Sequence, residues 1–389
     1  MMQTETTSIF TLANSLATEV FINAVGLPGE PAAAQIRRVY AESADVLRQA
    51  DARIVQERLF VPADAAGGVA QVRGAALGSL ADAVAPALLR SAGPAEWANV
   101  GLQIHAVRTD QPIRLVERGG VAVGRTLDLA GVRHVFLSGL SAAEAGSPGQ
   151  QAGSMFEQTE QLFNQAGGNM HSVVRTWLWL GEILSWYDEL NDVRRKFFRR
   201  CGLIAGEGQE PKLPASTGIG VRPTGSAMCA MDARGVVPIG GGRPSQSTPG
   251  NGELIAYFNA AGRQDSPFRY GSAFARAATA VSPAGKTLFI SGSAAIDPAG
   301  ASCHLGDARA QIEMTLRHIR AILAEHGCGD GDVVQAMAYC KTPAVAAAWR
   351  AGWPDFEWPA VTLIADVCRD ELLFEAELMA CPGVKSGLR

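Results

Sequence analysis

Two glutamates near the end of the chain are the first residues whose type and spacing suggest chemistry. Glu375 and Glu377 alternate with apolar residues in LLFEAELM (372–379), a pattern that predicts a β-strand. Successive side chains of a strand point to opposite faces, so both carboxyls lie on one face. A carboxyl in a partly apolar pocket keeps its proton near neutral pH and can act as a general acid. The alternative is a strand glutamate on a solvated or interface face.

Arginines are the candidate anchors for an anionic ligand. Arg175 follows two valines in a predicted strand, whereas the corresponding positions elsewhere in the chain hold Gln56 and Gln335. A guanidinium can bind a carboxylate through two parallel hydrogen bonds, so Arg175 is the first candidate for this role. A surface ion pair is its alternative. Further candidates for ligand contact are Arg269, Arg276 and Arg369.

The stretch TGIG (217–220) is a candidate anion-binding turn. Glycines at 218 and 220 permit positive φ and a close backbone approach, so the N–H groups of Thr217, Gly218 and Gly220 can face a carboxylate. A plain tight turn is the alternative. Aromatic side chains that could form apolar walls are Trp177, Trp179 and Tyr270, although a strand tryptophan more often belongs to the core.

The cysteines and histidines form no recognisable metal or disulfide pattern. The seven cysteines contain no CxxC pair, and the six histidines contain no HExxH spacing. Neither a zinc site nor a disulfide framework is indicated. We therefore expect no metal and no other cofactor.

Length and composition indicate a globular chain of two to three domains with mixed α and β structure. The 389 residues are 47% hydrophobic and 19% charged, with 43 glycines and a net charge of -4. No basic stripe suits nucleic acid. The start MMQTETTS lacks signal-peptide features, and no 18-residue apolar run occurs. We expect a cytoplasmic protein that binds a small carboxylate, and neither nucleic acid nor membrane.

A weak threefold repeat organises the chain. Each copy begins with an apolar strand that ends in small residues, continues with a helix and returns with a second strand. The first strands are VFINA (20–24), VFLSG (135–139) and LFISG (288–292), the helices 33–50, 151–166 and 308–326, and the second strands IVQ (54–56), VVR (173–175) and VVQ (333–335). The pattern predicts three βαβ units.

Segments rich in Pro, Gly and Ser suggest where the units separate. Residues 238–253 and, more briefly, 205–215 have the composition of loops or linkers. We predict borders near residues 95 and 245. The units are then a degenerate first unit (1–95), a second unit (96–245) and a C-terminal unit (246–389) that carries Glu375.

The third copy resembles the RidA/YjgF superfamily. The resemblance rests on LFISGSAAID (288–297), GCGDGDVVQAMAYC (327–340) and LLFEAELMACP (372–382). That family's fold is a β-sheet with two helices on one face, assembled as a trimer with pockets between neighbours. Three copies in one chain imply an α/β (α+β) fold of RidA/YjgF-like, chorismate-mutase-like units. The protein would be a pseudo-trimeric monomer or a small homo-oligomer.

A narrower resemblance, over about residues 100–380, is to the chorismatases. These RidA-like enzymes of secondary metabolism split chorismate into pyruvate and a dihydroxycyclohexadienoate or hydroxybenzoate. The matching segments are RTWLW (175–179), PASTGIG (214–220), AFARA (273–277) and DVCR (366–369), followed by LLFEAE. The resemblance implies a hydrolase or lyase that cleaves the enolpyruvyl ether of chorismate.

The resemblance also implies roles for single residues. Glu375 matches the acid that protonates the vinyl carbon. Cys368 matches the hydroxybenzoate-forming enzymes, whereas Ala275 matches the dienoate-forming ones. We weight Cys368 more, because a thiol can take part in proton chemistry. The substrate-binding candidates are Arg175, Trp177, Thr217, Gly218, Gly220, Tyr270, Ala275, Arg276 and Arg369.

The chain departs from the chorismatase pattern in two places. RPTG (222–225) stands where the family has a glycine run, and PFRYG (267–271) where it has a YGP-type turn. We expect both segments in a pocket wall. The substrate is therefore chorismate or a related cyclohexadienyl carboxylate.

Two other functions stay open. RidA-type deaminases of enamines and imines hold the substrate carboxylate with an arginine directly after a Pro-Ala pair. Here Pro359-Ala360 is followed by Val361, which removes that guanidinium and disfavours this chemistry. The other possibility is a non-catalytic protein that binds a small carboxylate or scaffolds a biosynthetic complex.

Overall fold

The computed structural model describes residues 6–94, 97, 99–204, 211–240, 253–259, 266–353 and 356–387. Within these ranges the chain forms three six-stranded sheets, each with two α-helices. The first part of the predicted loop at 205–215 and most of the predicted linker at 238–253 lie outside the described residues.

The first sheet gathers strands from both ends of the chain. Its strands are β1 (Thr7–Ala13), β2 (Thr18–Val25), β3 (Arg53–Val61), β4 (Ala87–Arg90), β5 (Gly101–Arg108) and β18 (Lys385–Ser386), and its helices are α1 (Ala32–Ala50) and α2 (Val69–Leu77). The strand order is β18-β1-β2-β5-β3-β4, with β3 and β4 parallel. Because β5 pairs between β2 and β3, the pairing favours a unit border after residue 108, whereas a border near 95 stays a prediction.

The second and third sheets repeat this arrangement. The second contains β6 (Ile113–Arg118), β7 (Val121–Leu129), β8 (Val132–Leu140), β9 (Val173–Leu180), β10 (Ala215–Ile219) and β11 (Cys229–Pro238), with α3 (Pro148–Gln165) and α4 (Ile183–Arg200). The third contains β12 (Ile255–Phe258), β13 (Ala277–Ser282), β14 (Gly285–Ala294), β15 (Val333–Cys340), β16 (Ala360–Ile364) and β17 (Phe374–Ala380), with α5 (Ala308–Glu325) and α6 (Pro343–Gly352). Their strand orders are β10-β9-β11-β8-β7-β6 and β12-β13-β14-β17-β15-β16.

The predicted fold class is confirmed, because the three predicted strand–helix–strand copies are β2-α1-β3, β8-α3-β9 and β14-α5-β15. Local signals explain the helix ends. Ser147 and Gln150 form a capping box at the start of α3, and Gly167 and Gly327 take positive φ just after α3 and α5. The sequence reasoning missed the second helix of each unit. No helix within the described ranges has the length and apolarity that a bilayer crossing requires.

Each sheet buries both faces. One face packs against its two helices, as Val20 and Ile22 do beneath α1. The other face turns toward the other two sheets, where Phe60, Trp179 and Phe289 contribute to one central apolar cluster. Because all three sheets share this cluster, the units form a pseudo-trimer within one chain.

Backbone register identifies equivalent positions at the three junctions between units. The strand residues Arg58, Trp177 and Met337 are equivalent in the three units. On one side they pair with Ala87, Thr217 and Val361, respectively, and on the other side with Gln103, Asp232 and Glu377. Two residues before Gln103, Asp232 and Glu377 in the chain lie Gly101, Ala230 and Glu375. The three junctions therefore present the pairs Thr217 with Glu375, Ala87 with Ala230, and Val361 with Gly101.

Candidate active site

A cleft of about 280 Å³ lies between the second and third units. We call it the Glu375 cleft. The second unit supplies α4 and β10, and the third supplies β14, β17 and the segments around 271–276 and 368–369. The lining residues are Tyr187, Asp188, Asn191, Asp192, Arg194, Arg195, Ser216, Thr217, Gly218, Gly271, Ser272, Phe274, Arg276, Gly292, Ala294, Ile296, Cys368, Arg369 and Glu375.

Glu375 is the buried carboxyl of this cleft. Its side chain reaches the cleft from β17 and is only 5% exposed. Burial, followed by the charge of neighbouring Glu377, raises its pKa to about 8, although Arg276 and Arg175 oppose the shift. The carboxyl therefore holds its proton at neutral pH, as a general acid must. Strand alternation places it correctly, since Phe374 and Ala376 point into the helix-side core.

The raised pKa of Glu375 predicts a pH-dependent stability. A carboxyl with a higher pKa in the folded state stabilises the fold most below its unfolded value. That contribution is lost as pH rises from about 4.5 through about 8. We expect Glu375→Gln to raise the urea midpoint, relative to the wild type, more at pH 8.5 than at pH 5. The exposed Glu313→Gln on α5 is the control, and an equal difference at both pH values would contradict the raised pKa.

Gly292 leaves the space that the Glu375 carboxyl occupies. A Cβ at this position would lie 2.1 Å from Glu375 Oε1 and 3.1 Å from Thr217 Cγ2. Gly292 does not have the positive φ that would exclude alanine, so the backbone tolerates the substitution. The methyl group must instead displace the carboxyl.

We expect Gly292→Ala to lower kcat on the true substrate by about 10- to 100-fold, because a misplaced acid no longer meets the reacting carbon. Steady-state kinetics measure the loss, and thermal unfolding checks the fold. Gly225→Ala is the control, since nothing lies within 4 Å of its added Cβ. Unchanged kcat in Gly292→Ala would separate this carboxyl from the reaction.

Two buried arginines make the cleft cationic. Arg194 and Arg276 are 2% and 1% exposed, and their guanidinium carbons lie 5.6 and 5.8 Å from the centre of the Phe274 ring. Burial lowers the pKa of both, to about 10 for Arg276. Arg194 donates to Asn191 Oδ1 at 2.6 Å. Among the described residues, no carboxylate lies within ion-pair distance of Arg194 and its buried Nε has no hydrogen-bond partner.

The cleft rim carries the remaining charges. Arg369 donates to the Gly300 carbonyl at 2.8 Å and to Ser302 Oγ at 3.2 Å, so it is anchored within its own unit. Arg195, one residue beyond Arg194, pairs with Asp192. Arg194 and Arg276 lie deeper in the cleft than these two arginines, and their burial places them best for an anionic ligand.

Cys368 and Tyr187 face each other across the junction. Burial and the charge of Glu375 raise the pKa of the Cys368 thiol to about 12, so it stays neutral at physiological pH. Burial also raises the pKa of Tyr187 to about 12, and its hydroxyl lies 3.4 Å from Ser272 Oγ. Both groups are therefore proton-bearing hydrogen-bonding groups and not nucleophiles. Among the described residues, no cluster of His, Cys, Asp or Glu is arranged to hold a metal ion.

Six of the predicted residues line the Glu375 cleft, and others lie behind its wall. Arg175 is 1% exposed and ion-paired with Glu377, so its guanidinium is not presented to the cleft. Trp177 stacks under Arg58, whose guanidinium carbon is 3.6 Å from the ring centre. Ala275 donates its N–H to the Pro214 carbonyl, and Gly220 donates to that of Asp366. These four residues are not among those that line the cleft, and their direct contact with a ligand stays a prediction.

The two divergent segments occupy different places. The segment 222–225 pairs with β4 at the junction of the first and second units, where Arg90 N donates to the Arg222 carbonyl at 2.8 Å. Pro223 and Gly225 line the cavity at that junction, so this segment lies in a pocket wall as expected, although that pocket is not the Glu375 cleft. The segment 267–271 forms a 3₁₀ turn whose Gly271 lines the cleft. The side chain of Tyr270 lies outside the described residues.

Sequence reasoning missed Tyr187 and Arg194. Both belong to α4, whose charged run NDVRRKFF has the pattern of a surface helix. The one signal was the phenylalanine pair Phe197 and Phe198, one helical turn after Arg194, since these apolar residues indicate which face of the helix turns inward. Contact with Phe274, far along the chain, could not be read from that pattern.

The other two junctions lack the acid. Ala230 takes the position of Glu375 at the junction of the first and second units. The cavity there has a volume of about 310 Å³ and is lined by residues that include Ala87, Gly139 and Ser226. Between the third and first units, Val361 fills the space above Gly101, whose added Cβ would lie 2.5 Å from Val361 Cγ1. The residues equivalent to Glu375 at the other two junctions are thus not acidic, although a different buried carboxyl, Asp232, pairs with Arg58 between the first and second units.

Comparisons with known proteins support the fold. Residues 272–364 match the family model described as Endoribonuclease L-PSP. A chorismatase crystal structure is 16% identical and covers 95% of this chain and 99% of its own, with a TM-score of 0.58. A YjgF-family protein from Neisseria meningitidis is 21% identical and covers 32% of this chain and 92% of its own, with a TM-score of 0.26. No curated protein sequence matches the chain.

Proposed function

We propose that this chain, which has the fold of a chorismatase, is a chorismatase-like enzyme. It cleaves the enolpyruvyl ether of chorismate or a related cyclohexadienyl carboxylate to pyruvate and a hydroxybenzoate or dihydrodiol acid. The observation that carries the proposal is the neutral, buried Glu375 carboxyl in a cleft with the buried cations Arg194 and Arg276. Protonation of a carbon atom of an anionic substrate needs both a protonated acid and cations that bind the substrate carboxylates.

Charge complementarity supports a dianionic ligand. Four arginines line the cleft, against Asp188, Asp192 and Glu375. Counting the described lining residues only, and with Glu375 protonated, the arginines exceed the carboxylates by two, and Arg194 has no carboxylate partner in the described part of the chain. A buried cation is costly without a counter-charge, so a ligand carboxylate stabilises the loaded cleft.

The reaction follows from the acid. Glu375 donates its proton to the terminal vinyl carbon, and the ether oxygen stabilises the resulting cation. When water adds to that cation, one water proton returns to Glu375, and the adduct collapses with cleavage of the bond between the ether oxygen and the former vinyl carbon, which gives pyruvate and a dihydrodiol acid. When the neighbouring ring hydroxyl adds instead, its proton returns to Glu375, and both the former ether bond and the ring C–O bond of that hydroxyl then break. Its oxygen leaves as the keto oxygen of pyruvate, and the ring moves a C–H proton to the former ether oxygen to become hydroxybenzoate.

The ring product depends on Cys368. Its neutral thiol lines the cleft, whereas Ala275 lies behind the wall. Of the two conflicting markers, Cys368 is therefore the one that a bound ring can touch. This supports the hydroxybenzoate-forming type of reaction.

The deaminase alternative lacks its arginine at every junction. The residues equivalent to Val361 are Thr217 and Ala87, and neither carries a guanidinium. One chain supplies both sides of the Glu375 cleft, so a pseudo-trimeric monomer contains the complete proposed site.

Pyruvate release is the direct test. Purified protein is incubated with chorismate, pyruvate is measured with a lactate dehydrogenase coupled assay, and the ring product is identified by chromatography and mass. We expect equal amounts of pyruvate and one ring acid. Binding of chorismate without pyruvate would favour the non-catalytic alternative, and ammonia release from imines without chorismate turnover would favour the deaminase.

The pH dependence follows from the same carboxyl. Because protonated Glu375 is the active form, we expect kcat/KM to be level below pH 8 and to fall about tenfold per unit above it. A profile that rises with pH through 8 would instead require a base. The measurement is initial rates between pH 6 and 9.5.

A further inference from the structure

The hydroxyl of Thr217 has both of its acceptor positions filled. Arg175 Nη2 donates to Thr217 Oγ1 at 2.6 Å, and the backbone N–H of Gly292 donates to the same oxygen at 2.9 Å. A threonine hydroxyl accepts through two lone pairs and donates through one hydrogen. With both lone pairs used, only the hydrogen is left for a further contact.

That hydrogen has no acceptor among the described residues. Glu377 accepts from Arg175 and, at 3.1 Å, from the Tyr339 hydroxyl. Neither Glu377 nor Glu375 accepts a hydrogen bond from Thr217 within the described part of the chain. Thr217 lines the cleft, and its methyl group and the Glu375 carboxyl both approach Gly292. The free hydrogen therefore belongs beside the acid, in the space that a ligand occupies.

The other two junctions provide an internal comparison. At the junction of the first and second units, the residues equivalent to Arg175, Thr217 and Glu375 are Gln56, Ala87 and Ala230. At the junction of the third and first units they are Gln335, Val361 and Gly101. Gln335 merely bonds the backbone carbonyl of Ile104 at 3.2 Å across its junction. The arginine, the hydroxyl and the acid thus occur together at one junction.

We propose that Thr217 is a dedicated hydrogen-bond donor to a ligand carboxylate, and that Arg175 is its positioning residue. Arg175 holds the hydroxyl oxygen and Glu377 holds Arg175, so the hydroxyl hydrogen is directed into the cleft. The identity of the acceptor rests on the proposed function. There it is the carboxylate of the enolpyruvyl group, because this carboxylate is attached to the carbon next to the one that Glu375 protonates.

Binding in an inactive background tests the donor. In Glu375→Gln protein, chorismate and 4-hydroxybenzoate, which lacks the enolpyruvyl group, are titrated calorimetrically. We expect Thr217→Val to weaken chorismate about 10- to 100-fold, as expected for loss of a hydrogen bond to a charged group, and to leave 4-hydroxybenzoate unchanged. Thr217→Ser should restore chorismate binding. Equal chorismate affinity for the valine and serine variants would overturn the role of Thr217.

The positioning role of Arg175 has its own variant. Arg175→Gln with Glu377→Gln turns the buried ion pair into two amides and gives position 175 the residue found in the other units. We expect the preference for chorismate over 4-hydroxybenzoate to fall about tenfold although Thr217 is intact. An unchanged preference would overturn the positioning role, whereas equal weakening of both ligands would show structural damage and overturn it as well.

Failure of the proposed substrate can be distinguished from failure of this inference. If wild-type protein neither binds nor cleaves chorismate, the same variants are titrated with inorganic phosphate. Weaker phosphate binding by Thr217→Val, restored by Thr217→Ser, would keep the donor and reject the substrate. Absence of phosphate binding, or equal binding by all variants, would overturn the donor.

Discussion

Glu375→Gln should lower kcat on chorismate by about 10²- to 10⁴-fold while chorismate binding persists, the usual size of a lost general acid. The amide keeps the shape of the side chain and a hydrogen-bond donor, yet it has no proton acidic enough to transfer to carbon. The surrounding arginines still bind the ligand carboxylates. Stopped-flow or coupled pyruvate assays measure the rate, and calorimetry measures the affinity.

Two comparisons make that result specific. Glu313→Gln removes an exposed carboxylate from α5 and should leave kcat unchanged, because this half-exposed side chain is not among those that line the Glu375 cleft. A Glu375→Gln rate within a few fold of wild type would refute carbon protonation by this residue. If chorismate is inert with the wild type, the neutral carboxyl still requires explanation, and the substrate assignment changes first.

The repeat was readable from sequence because each copy repeats a local pattern. The strand VFLSG (135–139), the amphipathic helix after it and the strand VVR (173–175) are contiguous, and their periodicity reflects burial on one face of a sheet. The inserted antiparallel strand is harder to predict. β17 lies between β14 and β15 although it follows both in the chain, so its pairing is set by tertiary structure.

The candidate site likewise contains residues whose role local sequence could predict and residues whose role depends on tertiary packing. Glu375 could be proposed because strand alternation and its apolar neighbours are local. The environment of Arg175 could not, because its partner Glu377 lies 202 positions away and comes from another unit. A guanidinium at a strand position looks identical in sequence whether it faces a ligand or a buried carboxylate. Only the packing of the second unit on the third distinguishes them.

The three junctions also explain why one chain would keep one site. A homotrimer must place the same residues at each interface, whereas a fused chain can vary them independently. Here Val361 fills one junction and Ala230 removes the acid from another, while Glu375 remains at the third. A buried acid at this position in one junction, and not in all three, limits the desolvation cost that each such group adds, although the first and second units still bury the ion pair of Arg58 and Asp232 between them.

Because a buried charge is costly to desolvate, substitution of Arg194 is the second change that we expect to have a large effect on catalysis. It is 2% exposed, and within the described residues its guanidinium has Asn191 as a neutral partner and no carboxylate. A cation buried in this way gains most when an anion enters the cleft, because the ligand carboxylate then replaces the water that burial removed.

We expect Arg194→Met to lower kcat/KM on chorismate by about 2–4 kcal/mol, roughly 30- to 1000-fold, through loss of a charge-assisted contact in a desolvated site. The unliganded protein should be no less stable, since methionine fills similar apolar space without a buried charge. The matched control is Arg195→Met on the same helix. Arg195 is a third exposed and paired with Asp192 at the rim, so its loss should cost less than about 1 kcal/mol. Equal losses for the two variants would mean that the long-range positive field of the cleft attracts the ligand, and that Arg194 makes no direct contact with it.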